Sequence, residues 1–363
     1  MSSPSVSQAE AAPSSTEGAA AAGLDRQLVF LIGAPRSGST LLARMLGAHS
    51  AVVAPEEPHL ITPIAHLGYY ASVQSAPYDP VITRQAARAL VANLPGGERA
   101  YLAALRAYCD AIYRGLLSAG SGSPRLLLDK TPAYALSLDF LARLYPTARY
   151  VVLTRHPLAV WSSYVDSFFD GDDRVAHAHN PLLERYVPAI ARFLRAASVT
   201  IHHVEYEALV RDPERHARAL AAFLGIDFEP AMVDYGHDPE ARRSAARGLG
   251  DPMTVARETR ATTRSVAKWA HAAAGRPERV ALYREIVARL LDVDLEAWGH
   301  PRAAIEAELA AIDLGGRPAP RPALTRYTLE RKILIALRRH IRPDNGPGRW
   351  IRRIRELCDV LLR

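Results

Sequence analysis

Gly33, Arg36, Ser37, Gly38, Ser39 and Thr40 stand within one short stretch, and together they suit one kind of chemistry, the holding of an oxyanion. Small residues let the backbone approach a ligand closely, main-chain N–H groups and hydroxyls donate to it, and the arginine supplies charge. The spacing matches a nucleotide phosphate loop, G-x-x-x-x-G-K-[ST], at Gly33, Gly38 and Thr40, but Ser39 occupies the place of the lysine. That lysine reaches the β- and γ-phosphates of a nucleoside triphosphate. Its replacement, with Arg36 inside the loop instead, points to phosphate binding and away from ATP or GTP hydrolysis.

Three further groups could act with this loop. Glu56 and Glu57 follow the apolar run 51–54 and could take a proton. Asp129 and Lys130 end the apolar run 126–128; a strand-end aspartate can hold Mg²⁺ in an ATP-using kinase, and a strand-end lysine can brace developing negative charge. Arg155 ends a third apolar run, with Pro157 starting a helix and Ser163 eight residues after the arginine, which makes a second anion site. His202 and His203 adjoin on a strand, so they face opposite sides and make a poor metal pair. The only cysteines, Cys109 and Cys358, support neither a disulfide framework nor a metal site.

The elements that must position these groups are read from periodicity. Apolar runs at 28–33, 51–54, 126–130, 148–154 and 199–204 predict buried strands, and helical spacing predicts helices at 60–71, 83–93, 98–117, 135–145 and 279–291. In the third of these, Leu102, Leu105, Tyr108, Ile112 and Leu116 form the expected core-facing stripe. Strands alternating with helices give an α/β fold, P-loop-like and three-layered, with a central mostly parallel sheet flanked by helices. In such a sheet every candidate group lies at the carboxyl edge, where ligands bind. Residues 236–264 form a long polar, Arg-rich loop of the kind that often serves as a functional lid. His59, His66, Tyr69 and Tyr70 are candidates to line an acceptor pocket.

The stretch Pro35-Arg36-Ser37-Gly38-Ser39-Thr40-Leu41 resembles the 5′-phosphosulfate loop of sulfotransferases that use 3′-phosphoadenosine 5′-phosphosulfate (PAPS). Lys130-Thr131-Pro132 and the Arg155/Ser163 pair resemble the same family, and the motif spacing is nearest its tyrosylprotein and bacterial carbohydrate branch. The resemblance implies that Arg36, Ser37, Gly38, Ser39 and Thr40 hold the 5′-phosphosulfate and that Arg155 and Ser163 hold the 3′-phosphate. It further implies that Glu57 is the general base, with Glu56 as its neighbouring alternative, that Lys130 contacts the transferring group beside Arg36, and that a late loop closes over the nucleotide, with Arg257, Arg264 and Lys268 as candidate phosphate contacts. No metal is required by that chemistry. The acceptor would be a hydroxyl of a small molecule, carbohydrate or lipid. Two other readings stay open at this point: a small-molecule kinase using Mg·ATP through Asp129, and a nucleotide-binding scaffold without catalysis.

Composition frames this reading. At 363 residues, 49% of them hydrophobic, the chain can bury a large core, and no run of residues is apolar enough to span a membrane. Residues 1–24, rich in Ala and Ser, read as a disordered leader without a secretory pattern, residues 25–300 as the sulfotransferase domain, and 301–363 as a basic helical extension. From Arg317 onward 13 Arg and Lys stand against 4 Asp and Glu, so the net charge of +7 belongs to the tail, and the rest is close to neutral. Leu329, Ile333, Leu337 and Ile341, then Trp350, Ile351, Ile354, Leu357 and Leu361, mark amphipathic basic helices suited to a membrane surface or to self-association. No nucleic-acid motif is present, and the expected compartment is cytoplasmic.

Overall fold

Five strands pair in the order β2-β3-β1-β4-β5, and every pairing is parallel. They are β1 (Leu28–Gly33), β2 (Val52–Val53), β3 (Leu126–Lys130), β4 (Arg149–Thr154) and β5 (Thr200–Glu205). The computed structural model describes residues 23–55, 57–67, 69, 80–120, 125–169, 171–237 and 259–315. The expectations placed on the leader up to residue 22, Glu56, Tyr70, Arg257 and the basic helices after residue 315 lie outside the described residues.

Parallel strands need crossovers that bury both faces of the sheet, and the alternation along each strand supplies two cores. Leu28, Phe30 and Ile32 of β1 join Tyr150 and Val152 of β4 in one apolar layer, with Tyr113, Tyr134 and Tyr145. Val29 and Leu31 join Val151 and Leu153 in the other, with Leu42, Met45 and Leu46 of the helix α1 (Ser39–Gly47). Full burial of side chains of this size stabilises by about 1.5–3 kcal/mol each. This is the three-layer α/β fold that the sequence predicts.

Helix boundaries depart from the periodic pattern where tertiary packing decides. The expected helix at 60–71 shortens to α2 (Ile61–Ala65), and the expected helix at 83–93 starts earlier, as α3 (Pro80–Asn93). The third, α4 (Gly97–Ala119), keeps Leu102, Leu105 and Leu116 of the expected stripe against the core but not the whole of it: Tyr108 is 56% exposed, while Cys109, Asp110 and Tyr113 are buried. Buried hydroxyls explain this choice, because Tyr145 donates to Asp110 (2.8 Å) and Tyr113 to Asp129 (2.6 Å). The span 135–145 divides into a 3₁₀ turn at Pro132–Leu136 and α5 (Leu138–Leu144). After β4 come α6 (Pro157–Phe168), α7 (Asp173–His179) and α8 (Leu182–Ala196), and after β5 come α9 (Tyr206–Arg211) and α10 (Pro213–Leu224). The chain continues through α11 (Lys268–Ala273), α12 (Pro277–Ala288), α13 (Asp292–Trp298) and α14 (Arg302–Ala310), and α14 packs Ile305 and Leu309 into the first core.

This topology creates the site. From β1 the chain leads toward β2 at one edge, and from β4 it leads toward β5 at the other, so a crevice opens between the carboxyl ends of β1 and β4. The loop carrying Arg36 and the residue Arg155 flank that crevice.

Candidate active site

The loop after β1 owes its shape to three local facts. A side chain at Gly33 would lie 2.6 Å from Ser37 Oγ and 3.2 Å from the Leu153 carbonyl, so only glycine lets the loop fold back. The Ser37 amide donates to the Ala34 carbonyl (3.1 Å), which closes a tight turn. Arg36 (φ 71°) and Gly38 (φ 97°) are both left-handed, and the space beside Gly38 is filled by the Tyr206 ring. A left-handed arginine costs about 1–2 kcal/mol, so the surroundings must hold it there. The result is a concave nest of backbone N–H groups leading into α1, whose first amides have no partner within the helix.

Arg155 and Ser163 hold that loop from the next strand. Arg155 is buried and donates through Nη1 to the Arg36 carbonyl (3.1 Å) and through Nη2 to the Ser265 carbonyl (2.8 Å). Its guanidinium lies 4.4 Å above the Tyr206 ring, and the Tyr206 hydroxyl meets Ser265 Oγ at 2.6 Å. Burial lowers the Arg155 pKa, yet a guanidinium stays charged at any physiological pH. Arg36 Nε donates to Ser163 Oγ (3.1 Å), so the two anion motifs, 127 residues apart in sequence, are in contact. The Arg155 carbonyl accepts from Trp298 Nε1 (2.8 Å), and the adjacent His156 stacks on Trp269 with centroids 4.4 Å apart. Burial pushes His156 down to about 3, so it is a neutral packing element.

On the other side, Glu57 forms an ion pair with Lys130, and its second carboxylate oxygen lies 3.5 Å from His59 Nε2. Lys130 ends β3 on the face that carries α1. Asp129 points the opposite way, into the tyrosine-rich core. It is wholly buried, with Oδ2 accepting from Tyr113 (2.6 Å) and Tyr134 (3.0 Å) and Oδ1 from Thr131 (3.3 Å). Burial pushes its carboxyl up to about 6, against the pull of those hydrogen bonds. An aspartate so placed cannot reach a nucleotide-bound Mg²⁺, and this geometry corrects the kinase reading of Asp129.

These groups meet at one cavity of about 570 Å³. Arg36, Gly38, Ser39, Thr40, Glu57, Arg155 and Ser163 all line it. Lys130 reaches it through Glu57. Ser37 does not line it; the residue is fully buried beneath the loop, and its amide is committed to the turn. Among the acceptor candidates, His59 lines the cavity, whereas Tyr69 packs on Tyr101 at 5.0 Å and His66 turns back onto its own helix at Thr62. Arg264 and Lys268 line it as well. Among the residues that sequence reading missed, Tyr206 and Ser265 hold Arg155 in place. Tyr206 follows the last strand directly, a position that a search of every strand end would have found. Ser265 contributes a main-chain carbonyl, which no side-chain pattern reveals.

A model of the sulfotransferase family matches residues 28–230, more than half of the chain. The chain belongs to the sulfotransferase family. Among curated relatives it is similar to the nodulation protein NoeE of Sinorhizobium fredii, 28% identical over 67% of this chain and 59% of that protein. It is also similar to protein-tyrosine sulfotransferase 1 of Danio rerio, 27% identical over 58% of this chain and 56% of that one. The chain thus spans somewhat more than half the length of these two relatives. Among solved structures, the sulfotransferase domain of the Synechococcus PCC 7002 olefin synthase is 27% identical, with a TM-score of 0.44 over 67% of this chain and 86% of that one. Every strand of this sulfotransferase-family sheet lies within the matched segment. The cavity also draws on Arg264, Ser265 and Lys268 beyond it.

Proposed function

We propose that this chain is a PAPS-dependent sulfotransferase that moves a sulfuryl group to a hydroxyl of a small-molecule, carbohydrate or lipid acceptor. One observation carries the reading: the Arg36 loop, the Arg155/Ser163 pair and the Glu57–Lys130 ion pair, drawn from separate parts of the chain, border a single cavity. The residues suit the donor. A left-handed nest opening into α1, a loop arginine and a buried guanidinium offer fixed donors for two separate anionic groups.

In this mechanism the backbone amides from Gly38 to Thr40 and the Arg36 side chain bind the 5′-phosphosulfate, and Ser37 shapes the loop from beneath. Arg155 and Ser163 bind the 3′-phosphate. Glu57 removes the proton from the acceptor hydroxyl as its oxygen forms the new bond to sulfur. The bond from sulfur to the bridging oxygen breaks, and that oxygen leaves with the electron pair on 3′-phosphoadenosine 5′-phosphate (PAP). Neutralising Glu57 loosens its hold on Lys130, whose ammonium is then available to the leaving oxygen. Alignment and fixed charge supply the rate enhancement, as in phosphoryl transfer.

Calorimetric titration with PAP, beside ATP with and without Mg²⁺, tests the donor. Metal-independent binding of PAP, at least tenfold tighter than Mg·ATP, is the expected result. Preference for Mg·ATP with indifference to a 3′-phosphate overturns the reading. PAP release from PAPS, with a phenol, a primary alcohol and a monosaccharide as probe acceptors, then ranks acceptor classes.

A further inference from the structure

The described residues around Glu57, between β2 and α2, have no regular structure, and His59 among them is left-handed (φ 49°). A catalytic carboxylate on such a segment needs tertiary bonds to fix its position, because neither a helix nor a ladder does so. Two bonds of this kind are present. The His59 amide donates to Thr131 Oγ1 (3.4 Å), and the Ile61 amide donates to the Tyr134 hydroxyl (3.1 Å). Both hydroxyls then donate onward to one acceptor, the buried carboxylate of Asp129. A third donor, Tyr113 from α4, holds that carboxylate from behind.

We propose that Asp129 is a positioning residue that acts through Thr131 and Tyr134 to fix the 57–61 segment, and with it Glu57. The strand alternation makes this possible. Lys130 faces α1 and takes the Glu57 side chain, while Asp129, one residue earlier and on the other face, holds the main chain just after Glu57, at His59 and Ile61, through two hydroxyl relays. The end of β3 therefore grips both parts of the same short segment. Each relay hydroxyl has one proton and spends it on Asp129, which leaves its lone pairs turned toward the amide; the carboxylate thus sets the direction of both hydroxyls. An asparagine at 129 would present N–H donors to part of this network and reverse at least one relay.

This inference rests on Glu57 being the base. Its test uses PAP release from PAPS with 4-nitrophenol as the probe acceptor, calorimetric PAP affinity, and hydrogen exchange of the 57–61 amides. Thr131→Val and Tyr134→Phe each remove one relay and keep the fold's volume; Thr131→Ser restores the hydroxyl; Asp129→Asn exchanges one of the two acceptor oxygens for an N–H donor. Displacement of a reacting group by about an ångström costs on the order of a hundredfold in rate, so each relay variant is expected to lose about tenfold to a hundredfold in kcat. PAP affinity should stay within threefold, exchange should rise at 57–61 alone, and Thr131→Ser should recover most of the loss. Unchanged kcat in both relay variants, or a fall in kcat matched by an equal fall in PAP affinity, overturns the proposal. Glu57→Gln run in parallel separates the two readings. If Glu57→Gln keeps full turnover, the base assignment itself fails. If it alone loses turnover, only the positioning role is lost. In the Glu57→Gln background the Thr131→Val effect should shrink to under threefold, since the relay acts through that carboxylate.

Discussion

Arg155 donates to the main-chain carbonyl of Arg36 across 119 residues of sequence, at 3.1 Å. The bond ties the carboxyl end of β4 to the loop after β1, the two strand ends that bound the crevice. Arg36 in turn reaches Ser163 on α6. The two anion motifs therefore form one interlocked unit.

Replacing Arg155 with lysine keeps the charge and removes the planar fork that spans the Arg36 and Ser265 carbonyls. PAP affinity is expected to fall about tenfold to a hundredfold, each tenfold being ~1.4 kcal/mol. Adenosine 5′-phosphosulfate, which lacks the 3′-phosphate, should lose at least tenfold less. Equal losses for the two nucleotides in calorimetry would detach Arg155 from the 3′-phosphate.

Glu57→Gln preserves shape and removes the proton acceptor. Turnover with any probe acceptor is expected to fall by about 10²–10⁴-fold, with PAP affinity within threefold of the parent. Steady-state kinetics beside calorimetry would expose the opposite pattern, in which PAP binding collapses and turnover per bound PAP is kept; the carboxylate would then belong to donor binding.

Gly38→Ala meets two obstacles together, the φ of 97° and the Tyr206 ring, whose Cε2 would lie 2.6 Å from the new Cβ. The expected cost is about 1–3 kcal/mol in stability, with PAP affinity at least tenfold weaker. Adding Tyr206→Ala removes the collision but leaves the backbone strain, so only part of the stability should return. Full recovery in denaturant titrations would assign the whole effect to the ring.

Asp129 makes stability depend on pH with a definite sign. Its carboxyl, ordinarily near 3.8, is pushed up to about 6 by burial, so the folded state holds the proton more tightly than the unfolded chain. The associated stabilisation is complete below about pH 4 and is lost as pH rises through 6; by pH 7 the difference is about 3 kcal/mol. Asp129→Asn has no such proton. The stability of the parent minus that of Asp129→Asn should therefore decline by that order between pH 4 and 7 in urea titrations. A flat difference would show that Asp129 does not titrate in this range.

The sequence by itself determined the parallel sheet and the loop after β1, and it set Lys130 and Arg155 where apolar runs end and a strand must stop, Glu57 shortly after another such run, and Ser163 on the helix that follows Arg155. Local rules govern those features: periodicity places strands, and glycine with small residues permits the tight turn at Gly33 and Gly38. Which face a helix buries was decided elsewhere. Tyr108 extends the apolar stripe of α4 yet is exposed, because Tyr113 finds a carboxylate on β3, Asp129, and Asp110 a hydroxyl at the end of α5, Tyr145.

Asp129 shows the same division within the site. An apolar run ending in Asp reads equally well as a metal ligand or a buried acceptor, since sequence gives the strand end and not the direction of the side chain. Only the tertiary structure turns Asp129 inward to Tyr113, Tyr134 and Thr131 and turns Lys130 outward to Glu57. Tyr206 and Ser265 enter the site for a related reason. Their contacts with Arg155 depend on a ring face and a main-chain carbonyl brought together by the fold; Tyr206 is marked in the sequence only by its place directly after a strand, and the Ser265 carbonyl by nothing.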